Sequence, residues 1–112
     1  MNSGYVTIVG VDMCFGKEIF KVGQILTLRK DFDNRYDDEA IEAVLDSVGG
    51  RVGYVANSCH TVARGTKSSG RIYDTFKDIC SAKVAFIAVN SVIAELVFDK
   101  EMVYEDLHDK DN

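Results

Sequence analysis

Asn34-Arg35-Tyr36-Asp37-Asp38-Glu39-Ala40-Ile41, followed a short loop later by Arg51-Val52-Gly53-Tyr54-Val55, decides how this chain reads. Asn and Asp on either side of a Tyr are turn formers, because their side chains bond nearby backbone amides. The turn runs directly into a strand that starts Ala40-Ile41, and Gly49-Gly50 turns that strand back into Arg51 to Val55 as a hairpin. The same turn places an aromatic ring, an acceptor and a mixed donor/acceptor on one small surface. Those groups suit the end of a polynucleotide.

Working outward, Tyr5 to Val11 alternates and is rich in β-branched residues, which predicts a first strand. Gly10 and Gly16 bracket a loop over Val11 to Phe15, and Gln24 to Lys30 reads as a second strand. After residue 56 the period changes. Asn57 or Ser58 is placed to cap a helix with Cys59, Val62 and Ala63 on one face, stopped at Gly65. Ser68 or Ser69 is placed to cap a second, with Ile72, Tyr73, Phe76, Ile79 and Cys80 as its apolar positions. Strand character returns over Ala82 to Val89, with Val84 and Phe86 on one face and Ile87 and Val89 on the other. Asn90-Ser91 is a turn, and Val92 to Phe98 reads as the last strand.

The sum is a mainly β chain: a small, partly open six-stranded barrel of the OB or SH3-like kind, with two short helices inserted between strands 4 and 5. The barrel domain is expected over residues 1–98. Residues 99–112 are acidic and poor in apolar residues, and are expected to form a frayed helix or disordered tail.

A chain of 112 residues points to one domain, long enough to bury a core without staples. Cys14, Cys59 and Cys80 are odd in number and far apart, with no CxxC pair and only two histidines. That pattern fits a reduced, cytoplasmic protein with no disulfide scaffold and no structural zinc. Neither a signal-peptide layout nor an apolar run near ~18 residues is present, so no membrane partner is expected.

The net charge of −5 is unevenly spread: residues 1–50 carry −4, residues 51–77 carry +4 and residues 78–112 carry −5. Within the basic segment, Arg64-Gly65-Thr66-Lys67-Ser68-Ser69-Gly70-Arg71 combines three cations, three hydroxyls and a predicted helix start, an anion-binding composition. No phosphate-cradling loop and no nucleophile–base set can be assembled, so an enzyme is not expected. Cys14 has no acid–base partner in its own segment and reads as a structural thiol. Glu105-x-x-His108 has helical ligand spacing, but one pair in an acidic tail makes no metal site. No metal and no cofactor are expected.

Four pieces in order carry a family resemblance: Ile8-Val9-Gly10; Phe20-x-x-Gly23-x-x-Leu26-x-Leu28; Asn34-x-Tyr36-Asp37-x-x-Ala40-Ile41; and Val52-Gly53-Tyr54-Val55. Together, over about residues 5–98, they resemble the HIRAN domain, which occurs fused to helicase-class remodelling ATPases and as small stand-alone bacterial proteins. This chain is similar to the stand-alone kind. The resemblance implies an OB-like barrel and a pocket that grips the free 3′ end of single-stranded DNA. It implies that Tyr36 stacks on the last base, that Asp37 accepts from the terminal hydroxyl, and that Asn34 fixes the base edge or sugar.

The chain departs from the DNA-binding members in two places. Asp12-Met13-Cys14-Phe15 replaces a loop with a basic residue and paired tyrosines, leaving Phe15 as one stacking ring. Tyr54 and Asn57 stand where those members carry a histidine and a lysine. Phosphate contacts are therefore expected from Arg64, Lys67 and Arg71, and affinity for single-stranded DNA ends is expected to be weak. The alternative is a non-catalytic, self-associating module, with the apolar strands 84–89 and 92–98 supplying an edge for a homo-oligomer. A Tyr folded onto the barrel for stability alone is the other reading of the 34–37 turn.

Overall fold

A computed structural model describes residues 4–97. Residues 99–112, expected to form the acidic tail, lie outside the described residues. Among the described residues seven strands form: β1 (Tyr5–Val9), β2 (Ile25–Lys30), β3 (Ile41–Leu45), β4 (Gly50–Val55), β5 (Thr66–Lys67), β6 (Ile79–Ile87) and β7 (Val92–Val97). Six of them close an antiparallel barrel in the order β4-β3-β2-β6-β7-β1, with β1 returning to β4. The fold is the OB-like barrel expected from the alternating strands, but it is closed. Two-residue β5 lies outside the ring, parallel to β1, and was not legible in the sequence.

Inward-pointing residues fill the barrel: Val6, Ile8, Leu26, Leu28, Ile41, Ala43, Val52, Val84, Val92 and Ala94 are all buried. Their period of two is the pattern that makes a strand bury one face. Closure depends on Gly53. A Cβ there would lie 2.7 Å from the Ile8 side chain and 2.8 Å from the Val9 carbonyl oxygen, so only glycine lets β1 and β4 approach.

The phase of β6 differs from the alternation expected for it. Its register with β7 shifts between Val84 and Phe86, leaving Ala85 as an extra residue. A bulge of this kind re-aims every side chain that follows. Val84 is buried while Phe86 is exposed, so the two do not share a face. β6 pairs with β2 and β7, and β7 with β6 and β1. Both late strands are therefore interior to the ring, and neither offers the edge that motivated self-association.

The expected helix over 57–65 does not form. Thr61 and Val62 donate backbone bonds to the Ser58 carbonyl in a set of turns, and the Ala63 N–H is taken by Thr7 Oγ1 at 3.1 Å. Cys59, the first residue of the expected apolar face, is exposed. The second helix is one turn, α1 (Ser69–Ile72), continued by a 3-10 turn over Tyr73–Thr75. Ser68 caps it by accepting from the Arg71 N–H, as read from the sequence. Ile79 and Cys80 belong to β6 instead. The Val11–Met13 part of the first loop is also a 3-10 turn.

Candidate nucleic-acid interface

The link between β2 and β3 is an excursion closed at its base, where the Asp31 N–H donates to the Ala40 carbonyl at 2.9 Å. Within it, Asn34 Oδ1 accepts from the Tyr36 N–H at 2.9 Å and the Asp37 N–H at 3.0 Å. This is the Asx turn foreseen from the sequence. It engages the carbonyl oxygen of the Asn34 side chain, and among the described residues the amide NH2 has no hydrogen-bond partner. The Tyr36 backbone is fixed, yet its side chain is 97% exposed. The ring does not fold onto the barrel, so packing does not account for it.

Asp37 is half-buried and held by three contacts from two residues. Its Oδ1 accepts from the Glu39 N–H at 2.9 Å, and Asn57 Nδ2 donates to Oδ1 at 3.2 Å and to Oδ2 at 3.1 Å. Asn57 Oδ1 in turn accepts from the Gly70 N–H at 2.8 Å. Ser69 Oγ, fully buried, donates to the Glu39 carbonyl, and the Ser69 N–H donates to the Ala56 carbonyl at 2.9 Å. The 34–39 turn, the end of β4 and the start of α1 are thereby tied together. Gly70 packs close to this cluster: a Cβ there would lie 3.2 Å from Asn57 Oδ1 and would displace the flexible end of the exposed Glu39 side chain.

On the other flank, Tyr54 O–H donates to Asp31 Oδ2 at 3.4 Å and accepts from Arg51 Nη1. The Arg51 guanidinium also sits 4.9 Å from the Tyr54 ring centre and 3.9 Å from Glu42. Burial raises the Tyr54 pKa above its ordinary value. Arg51 opposes that rise, and the Asp31 and Glu42 carboxylates add to it. The hydroxyl therefore stays protonated and able to donate.

Between these walls lies a concavity of about 660 Å³. Asn34, Tyr36, Asp37 and Tyr54 line it, together with Arg35, Asp31, Asp33, Val9, Asn57 and Thr61. Of the residues read from the sequence as an interface, Phe15, Arg64, Lys67 and Arg71 do not line it. Phe15 is half-exposed in the first loop, and Lys67 lies along β1 with its side chain near Gly4. The sequence reading missed Asp31, Asp33 and Arg35 in the wall. Their proximity to the Asn34 turn was the available signal. Asn57, in sequence a candidate helix cap at the place of a family lysine, is instead the clamp on Asp37. Among the described residues, no group of three or more His, Cys, Asp or Glu side chains is placed to hold a metal ion. No helix of the described residues is long and apolar enough to cross a membrane.

Comparison with family models matches residues 1–97 to the HIRAN domain. The chain belongs to the HIRAN family. HIRAN is known as a nucleic-acid-binding module. Neither a curated protein nor a solved structure matches this HIRAN chain significantly.

Proposed function

We propose that this HIRAN domain grips the free 3′ end of single-stranded DNA in the concavity between the 31–40 turn and β4. The observation that carries the reading is Tyr36: a ring 97% exposed on a backbone pinned by Asn34. A base stacked on such a ring gains about 1–3 kcal/mol, and the pinned backbone loses little further entropy on binding.

Asp37 accepts the terminal 3′-hydroxyl in this reading. An ionised carboxylate has about four acceptor sites. Three contacts, from Glu39 N–H and twice from the Asn57 amide, leave room for one more donor. A 3′-phosphate in the same place meets like-charge repulsion. Asn34 offers its free amide NH2 to the base edge or sugar, and the Tyr54 hydroxyl forms the opposite wall. Phe15, Arg64, Lys67 and Arg71 contact the strand beyond its end. Affinity is weak, because the wall carries three carboxylates, Asp31, Asp33 and Asp37, against a single cation.

Fluorescence anisotropy at low salt tests this directly, comparing one labelled strand ending in a 3′-hydroxyl with the same strand ending in a 3′-phosphate. Tighter binding to the hydroxyl end supports the reading. Equal binding to both removes the end pocket and leaves a module that takes nucleic acid elsewhere.

A further inference from the structure

We infer that Arg35 is the phosphate contact of this end site, taking the phosphodiester that joins the last two nucleotides of the bound strand. The inference rests on the 3′-end reading above. Three observations carry it. Arg35 is the sole cation among the residues that line the concavity, which also include Asp31, Asp33 and Asp37. All three of those acids lie along the same excursion between β2 and β3 as Arg35 itself. Among the described residues, no hydrogen bond or ion pair engages the Arg35 guanidinium, in contrast to Arg29 and Arg51, which reach Glu42 at 2.7 and 3.9 Å.

Two of the three acids are already committed. Asp31 accepts from Tyr54 O–H and from the Asp33 N–H, and Asp37 accepts from Asn57 and Glu39. Arg35 is the unengaged charged group on the apex between the turn-forming Asn34 and the exposed Tyr36 ring. With the last base on Tyr36 and the terminal hydroxyl on Asp37, the preceding phosphodiester leaves across the rim beside residue 35. The other charged groups of the wall, Asp31, Asp33 and Asp37, repel it. Guanidinium is suited to that place, because its planar fork can give two parallel N–H donors to one phosphate. The ligand class follows: a polynucleotide with a free terminal hydroxyl and a charged final linkage, in preference to a nucleoside.

A cycle across protein and ligand tests this. Anisotropy is measured for wild type and Arg35→Ala on a 3′-hydroxyl strand whose final linkage is either phosphodiester or uncharged methylphosphonate. We expect wild type to weaken about tenfold on the neutral linkage, the order of one charge-assisted contact. Arg35→Ala should bind the native strand about tenfold more weakly and be indifferent to the neutral linkage. Arg35→Lys should recover part of the loss. Arg64→Ala should keep the wild-type sensitivity to the final linkage. If Arg35→Ala loses as much as wild type when the final linkage is neutralised, or binds the native strand as wild type does, Arg35 is not the contact. If wild type ignores the terminal hydroxyl altogether, the end-site reading fails instead.

Discussion

Asn57 spans the Asp37 carboxylate with one amide nitrogen, at 3.2 and 3.1 Å, while its carbonyl oxygen holds the Gly70 N–H at 2.8 Å. One side chain thus links the acceptor of the candidate site to the start of α1. Asn57→Ala should cost about 1–3 kcal/mol, since the Gly70 N–H loses its partner in a half-buried position. It should also loosen discrimination between hydroxyl and phosphate ends. Chemical denaturation gives the first effect, and anisotropy on the two strands gives the second.

Asp37→Ala should abolish the preference for a free 3′-hydroxyl. The Glu39 N–H and the Asn57 amide both lose an acceptor, so some stability goes too. Asp37→Asn, which keeps the shape, separates the two effects: a fold near wild type by thermal unfolding combined with a lost end preference isolates the carboxylate. Retained preference in both variants rules Asp37 out as the hydroxyl acceptor.

Tyr36→Ala should leave the melting temperature unchanged, because a ring 97% exposed contributes no packing. Binding should nevertheless fall by about 1–3 kcal/mol, the worth of a stacked base. Tyr36→Phe should bind as wild type. Thermal unfolding and anisotropy on the same samples decide it.

Gly53→Ala should be among the most destabilising single changes. The new methyl meets Ile8 Cγ2 at 2.7 Å and the Val9 carbonyl at 2.8 Å, and backbone cannot step aside as a flexible side chain can. A loss of about 1–3 kcal/mol follows from overpacking of this kind. Urea denaturation measures it. A wild-type midpoint means that β1 and β4 can part without cost.

Burial pushes the Cys80 thiol up to about 12 from an ordinary 9.0, with nearby Lys30 pulling in the opposite direction. A raised folded-state value favours the neutral thiol. The associated stability is therefore fully present below about pH 9 and is lost as pH rises from about 9 to 12. At neutral pH, Cys59 should react with a disulfide reagent at once, Cys14 more slowly, and Cys80 only as fast as the protein opens. Thiol titration with and without urea shows the three phases.

The barrel strands were legible because each buries one face, and alternation over Ile25–Lys30 or Ile41–Leu45 records that directly. What escaped the sequence depended on partners distant along the chain. Cys59, Val62 and Ala63 have helical spacing, but Thr7, 56 residues away, takes the Ala63 N–H and fixes that segment as turns. The bulge at Ala85 is set by register against β7, so Phe86 reads as inward and points outward. At the site, Asn34 was readable because an Asx turn is local. Asn57 was not: its partners, Asp37 and Gly70, lie 20 and 13 residues away on either side. Arg35 stood in plain view between two singled-out residues, and only the surrounding wall of carboxylates gives it meaning.

The ring is completed by just two residue pairs, Ile8 with Val55 and Val9 with Tyr54. Val9, Tyr54 and Val55 are also wall residues of the concavity. The seam of the barrel and the floor of the site are the same backbone. A fluctuation that unzips β1 from β4 would take this floor apart, and a strand end bound there as proposed would hold the seam shut. Under the proposed reading, amide exchange along β1 and β4 should slow when a strand end is bound, the ligand then acting as the last stitch of the sheet.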